Sequence, residues 1–166
     1  RFGNFDLIRS EMNSLAEETD EVAQFATDER GKIVYLDKAR GENAVKTGSF
    51  MGKREHLHST AMGKAILSTK SDEEIDRLIE QHGLPEQTKN TATDREELLD
   101  RLADVREQGY AVDDEENVRG LRCIASPVMV SETENLGSVG ITGPASRMTD
   151  ERIESELAEL VKSSAN

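Results

Sequence analysis

Two groups of strand-like apolar runs stand on either side of three capped, amphipathic helices, and this order constrains the fold more than any other property of the chain. Leu7, Ile8, Met12 and Leu15 recur at helical spacing and predict a helix over residues 6–19. Val22 with Phe25, and then Ile33, Val34, Tyr35 and Leu36, flank the polar run Asp28-Glu29-Arg30-Gly31, the pattern of a β-hairpin. Residues 43–47 predict a third strand, and the Gly-rich, basic stretch 48–58 predicts a mobile loop.

The middle of the chain is helical. Ser59 or Thr60 caps a short helix over residues 61–67. Ser71 with Glu74 forms a capping box ahead of Ile75, Leu78 and Ile79, with Gly83 and Pro85 as the stop. Thr93 with Glu96 repeats the device ahead of Leu98, Leu99, Leu102 and Val105, and Gly109 ends that helix. Strands follow near residues 110–113, 122–130 and 137–142. Thr149 caps a last helix, with Met148 and Ile153 as its staple and Ile153, Leu157, Leu160 and Val161 as its buried face. The class is α+β with one mainly antiparallel sheet.

The length of 166 residues fits a single domain, residues 1–166, with its own core. No run approaches the roughly 18 apolar residues of a membrane span. The lone cysteine excludes an intramolecular disulfide and points to a reducing, cytoplasmic setting. Thirty-four Asp and Glu against twenty-one Lys and Arg leave a net charge of −13, which repels phosphate and excludes nucleic acid as a partner of these residues alone. The acids are spread along the whole chain, as expected of a protein adapted to high salt. The chain begins at Arg1 without an initiator Met and reads as part of a longer protein.

Chemistry concentrates in residues 109–127, GYAVDDEENVRGLRCIASP. Four acids (Asp113, Asp114, Glu115, Glu116) precede a glycine turn at Gly120 and the thiol of Cys123 at the head of a strand. That arrangement suggests the wall of a small pocket. Asp113 and Val112 face opposite sides of a strand. An inward carboxylate costs several kcal/mol unless paired, so Asp113 either binds a ligand hydroxyl or orients backbone N–H groups. Glu115 and Glu116 read as solvated.

Three blocks carry a resemblance: residues 57–65 (LHSTAMGKA), residues 109–123, and residues 137–144 followed by Ser146 and Arg147. In them the chain resembles the effector-binding domain of IclR-type transcription regulators, which show a similar His and small residues before GKA, a similar GYA-x-DDEE-x-x-x-GLRC, and a similar strand ending in TGP or SGP. The order of the blocks fits from Arg1 to about Lys162. The resemblance implies a GAF-like domain with a curved six-stranded, mainly antiparallel sheet, flanking helices and a pocket on one side. It further implies sensing of a small-molecule effector, self-association as dimer or tetramer, and contact with operator DNA only through an N-terminal winged helix-turn-helix that this chain lacks. The implied pocket positions are Ala61, Met62, Asp113, Cys123, Gly140 and Thr142.

Each position has a physical reading of its own. Ala61 and Met62 stand in the first turn of a helix, where free N–H groups attract a carboxylate; Met62 equally suits core packing. Cys123 has no His or Lys at a spacing that would activate a thiolate and reads as a non-catalytic lining residue. Gly140 and Thr142 share a strand face; Thr142 offers a hydroxyl, and Gly140 adds room where family members carry a second hydroxyl. His56 and His58 lie two apart beside Lys53 and Arg54. Two neutral ligands without a nearby Cys make a poor metal site, so this loop is expected to shield or steer a ligand. There is no phosphate-cradling loop, nucleophile elbow or HExxH, hence no catalytic set, metal or cofactor is expected. Two other readings compete with a sensor: a GAF-like redox enzyme using Cys123, and a purely structural oligomerisation module.

Overall fold

In the computed structural model, which describes residues 2–46 and 51–166 and the side chains from Asp6 onward, α1 (Phe2–Thr19) leads into β1 (Val22–Glu29) and β2 (Lys32–Arg40). The hairpin turns on Arg30 and Gly31, both at positive φ (54° and 81°), a twist that suits the flanking strands. β3 (Arg54–His56) precedes α2 (Ala61–Leu67), α3 (Asp72–His82) and α4 (Arg95–Gln108). Then come β4 (Ala111–Asp114), β5 (Leu121–Met129), β6 (Asn135–Pro144), the short α5 (Asp150–Arg152), a π turn (Ile153–Leu157) and α6 (Ala158–Ala165). The strands form one six-stranded sheet in the order β3-β2-β1-β6-β5-β4, with every neighbouring pair antiparallel. This is the α+β architecture expected from the sequence.

Because side chains alternate across a sheet, each face builds its own core. On one face Ala26, Ile33, Tyr35, Cys123 and Ala125 pack against α2, with Ile75 of α3 and Leu98 and Leu102 of α4 behind. On the other, Phe25, Ile124, Val139 and Ile141 pack against Met12 and Leu15 of α1 and against Ile153, Leu157 and Val161 near the C-terminus. A bulge divides β2 between them. Phe25 pairs with Asp37 and Ala26 with Tyr35, so Leu36 has no partner on β1 and is exposed. The extra residue reverses the alternation: Tyr35 faces α2, while Asp37 turns toward Arg9 of α1.

Most caps fall where the sequence puts them. Thr60 accepts from Gly63 N, both halves of the Ser71–Glu74 box form, and Thr149 accepts from Arg152 N. α4 starts one residue later than expected: Asp94, not Thr93, is the cap, accepting from Glu97 N at 2.9 Å, and Glu97 reaches back to Thr93 N. Leu7, expected on the buried stripe of α1, is exposed.

The third strand is also misplaced. Residues 43–46 form no strand, and Thr47 lies outside the described residues. The strand sits instead at Arg54–His56, inside the stretch expected to be a loop, of which residues 48–50 lie outside the described part. A ladder to the free edge of β2 makes it a strand, with Lys32 opposite His56 and Val34 opposite Arg54. Composition along three residues carries no trace of a ladder formed with a strand twenty residues away.

Candidate functional site

The register of the last three strands assembles the centre of the site. Asp113 of β4 pairs directly with Cys123 of β5, and Cys123 pairs with Thr142 of β6. The three side chains therefore form one row across the sheet on the α2 face. The neighbouring row on that face is Ala111, Ala125 and Gly140, all small, with Gln24 of β1 beyond. α2 lies over this depression. The segment leading into α2 folds tightly against it because Gly63 has no side chain: a Cβ there would meet the Leu57 backbone at 2.3–2.6 Å.

Between the row and the start of α2 lies a cavity lined by Gln24, Tyr35, Glu55, Thr60, Ala61, Met62, Asp113, Asn117, Val118, Leu121, Cys123 and Thr142. Five of the six expected positions thus meet around one space. Gly140 does not line it, because Met62 covers that residue. The unfilled volume is about 30 Å³, room for about two waters at roughly 10–15 Å³ each.

The lining is mixed: Ala61, Met62, Val118, Leu121 and Cys123 are apolar, and the polar groups are largely paired. Tyr35 donates from its hydroxyl to Glu55 Oε1, Asn117 Nδ2 donates to Glu55 Oε2 at 3.2 Å, and Ser59 Oγ donates to Asn117 Oδ1 at 2.7 Å. Thr142 Oγ1 donates to Gln24 Oε1 at 3.0 Å. Asp113 is buried and its Oδ1 accepts from Glu116 N at 2.6 Å. Burial, followed by the nearby charge of Glu116, pushes the Asp113 carboxyl up to about 8, so it is protonated and able to donate at neutral pH. Burial pushes the Cys123 thiol up to about 12, which leaves little thiolate for nucleophilic chemistry. The amides of Ala61 and Met62, in the first turn of α2, have no acceptor among the described residues.

Several expectations need correction. Glu116 is not solvated: it is buried, with Oε1 2.6 Å from Lys64 Nζ and 2.9 Å from Arg101 Nη1, and Oε2 accepting from Asp114 N. Lys64 also donates to Val112 O. The acidic run is therefore folded inward by a cation from α2, fifty-two positions away in sequence. Glu115 is partly exposed and accepts from Gly120 N at 2.8 Å, holding the glycine turn.

In the basic stretch expected to shield or steer a ligand, the cations are engaged with carboxylates of the chain, and Glu55 lines the cavity. Lys53 pairs with Glu55, Arg54 with Glu29, and buried His58 meets Pro85 O at 2.8 Å. Burial lowers the pKa of His58. Among the described residues no group of three or more His, Cys, Asp or Glu is disposed to hold a metal, and no helix is long and apolar enough to cross a membrane.

Sequence reasoning missed Gln24, Tyr35, Glu55 and Asn117. A signal existed for Gln24, an amide within the apolar run Val22–Ala26. None existed for Tyr35, whose direction depends on the bulge, or for Glu55, whose strand has the composition of a loop. A larger groove of about 600 Å³ runs outside the cavity along β4 and α4. It is open, and its lining includes Lys64, Glu116, Arg101 and Glu97, whose charges are already paired with one another.

Residues 5–166 match the family described as bacterial transcriptional regulator IclR C-terminal. The chain is 36% identical over 160 residues to the HTH-type transcriptional regulator KdgR of Escherichia coli K12, a match covering 95% of this chain and 61% of that protein. It is 31% identical over 165 residues to the probable HTH-type transcriptional regulator ArcR of Halobacterium salinarum, covering 98% of this chain and 63% of that protein. The chain therefore spans about three fifths of these curated relatives. Among solved structures it is similar to the C-terminal domain of the E. coli transcriptional regulator KdgR, with a TM-score of 0.83, 34% identity, and 96% and 94% of the two chains covered.

Proposed function

The chain belongs to the IclR C-terminal family of bacterial transcriptional regulators, and from that premise we propose that it is the domain through which such a regulator senses a small-molecule effector. The observation that carries this reading is the row Asp113–Cys123–Thr142 closing a cavity of mixed polar and apolar lining against the start of α2. Four kinds of polar group line that space: the first-turn amides of α2, the carboxyls of Asp113 and Glu55, the hydroxyls of Tyr35, Thr60 and Thr142, and the side-chain amides of Gln24 and Asn117. They suit a small metabolite rich in oxygen atoms. The amides of Ala61 and Met62 would take a carboxylate if the effector has one. Asp113 donates to a carbonyl or hydroxyl oxygen, and Thr142 with Gln24 completes the polar wall. Cys123 lines the wall without reacting.

In the parent regulator, occupancy of this cavity would control transcription from operator DNA bound by a separate winged helix-turn-helix, in a cytoplasmic dimer or tetramer. The names of the relatives, all transcriptional regulators or repressors, support this reading over an enzyme. The high pKa of Cys123 also speaks against the redox alternative.

A thermal-shift screen of metabolite acids, sugars and aromatic acids tests the proposal. An effector at 100 times its dissociation constant adds about 2.7 kcal/mol of stability. Asp113→Ala should then weaken binding by about 5- to 150-fold, the cost of about 1–3 kcal/mol for losing one buried hydrogen-bond partner. A hit that stabilises Asp113→Ala as much as the parent chain would place binding elsewhere.

A further inference from the structure

The cavity is much smaller than the ligands such a site takes. Its free volume is about 30 Å³, whereas pockets for small molecules span roughly 300–1,000 Å³. An occupant must therefore displace protein atoms, and the lining residues differ in what their displacement costs. Tyr35, Glu55 and Asn117 are tied together by hydrogen bonds, and Thr142 is tied to Gln24. Met62 is not. Its backbone is fixed, since Ser138 Oγ donates to Met62 O at 2.9 Å, but its thioether is unbranched, polarizable and able to change rotamer.

The thioether lies where position 140 would otherwise carry a side chain. A Cβ built on Gly140 would stand 2.4 Å from Met62 Sδ, 3.0 Å from Ile124 O and 3.3 Å from Ala125 Cβ. Met62 thus fills the depression left by Ala111, Ala125 and Gly140 and separates Gly140 from the cavity.

We propose that Met62, seated on Gly140, is the size gate of the pocket: moving the thioether off the glycine deepens the cavity, and the pair sets the largest ligand admitted. The inference rests on the sensing role given above for its biological meaning. A side chain at 140 would push Met62 toward the cavity and shut it; a small residue at 62 would leave the cavity open.

Cys123 supplies a ruler that needs no effector. It is the chain's only thiol, it lines the same cavity, and it is buried. Alkyl methanethiosulfonates convert a thiol to a mixed disulfide with loss of methanesulfinate, so methyl and benzyl reagents report whether a small and a bulky probe can enter. Met62→Ala should accelerate the benzyl reagent about tenfold more than the methyl reagent, and Gly140→Ala should slow both by about tenfold, each a modest change in barrier. The double variant Met62→Ala/Gly140→Ala should label faster than Gly140→Ala alone, because the methyl group added at position 140 no longer meets a thioether and only its close contacts with Ile124 O and Ala125 Cβ remain.

Equal acceleration of both reagents by Met62→Ala would mean access by unfolding and would overturn the gate. So would unchanged labelling in a folded Gly140→Ala. Where Gly140→Ala does not fold, the size dependence in Met62→Ala decides. Size-gated labelling with no hit in the effector screen would remove the sensing role and leave the gate; effector binding with ungated labelling would do the reverse.

Discussion

Glu116 and Lys64 form a buried ion pair, Oε1 to Nζ 2.6 Å, that joins the acidic loop beside the cavity to the helix that roofs it. The side chains are 7% and 3% exposed, so neither charge has water to fall back on. Asp113 is tied into the same loop, since Glu116 N donates to Asp113 Oδ1. The pair therefore holds the pocket's carboxyl in place from behind.

Removing one member of this pair is expected to be costly. Glu116→Ala should lower stability by about 3–5 kcal/mol, the usual effect of leaving a buried charge alone. Lys64→Met/Glu116→Leu should recover part of the loss, because an apolar pair needs no desolvation while Val112 O, Asp114 N and Arg101 lose the bonds they make to the pair. Urea denaturation of the three proteins checks both statements; a Glu116→Ala midpoint close to that of the parent chain would contradict them.

The protonated Asp113 predicts a particular pH dependence. Its folded pKa is about 8 against an ordinary value of 3.8, raised chiefly by burial. Between those values the folded chain keeps a proton that the unfolded chain releases, so this contribution to stability is complete below about pH 4 and falls as pH rises to about 8. Asp113→Asn does not titrate. The stability of the parent chain relative to Asp113→Asn should therefore decline steadily from pH 4 to 8 and level off above. A difference independent of pH would contradict the burial of this carboxyl.

Salt should stabilise the protein. A net charge of −13 on 166 residues is self-repulsive, and raising ionic strength from physiological to molar shortens the screening length from about 8 to about 3 Å. Buried pairs such as Lys64–Glu116 are little affected. The melting temperature is expected to rise between 0.15 and about 1 M KCl. A fall would remove the case for salt adaptation.

Self-association is expected through the α1 and β5–β6 side of the sheet. Leu7, Val130 and Leu136 are 67%, 60% and 46% exposed, and Leu7 and Leu136 border an apolar-lined groove of about 320 Å³ that also includes Ile8, Phe25 and Val128. Exposed apolar groups around a concave surface favour a symmetric partner. Light scattering should give at least a dimer at micromolar concentration, and Leu136→Glu should shift the mass toward monomer. A monomer mass for the parent chain across that range would refute the expectation.

The sequence by itself determined what is written in short spacings. The 3.6-residue recurrence of Ile75, Leu78 and Ile79 and the Ser71–Glu74 box define α3, and Gly109, at φ 89°, ends α4, because caps and amphipathic stripes depend on neighbours within one turn. Asp113, Cys123 and Thr142 were legible as pocket residues through the resemblance, and their alternation fixed which neighbours shared their face. What joins them is register, and register is a property of the assembled sheet.

Only the tertiary structure decided the fate of residues whose partners lie far along the chain. Glu116 looks solvated in a run of four acids until Lys64 of α2 meets it. Residues 54–56 look like loop until the edge of β2 offers a ladder. Tyr35 enters the pocket because the ladder to β1 skips Leu36. Met62 looks like ordinary core until the missing side chain of Gly140 gives it a seat. In each case the deciding term is a pairing across a closed chain, whose energy exists only after the intervening residues have folded, and so leaves no mark on local composition.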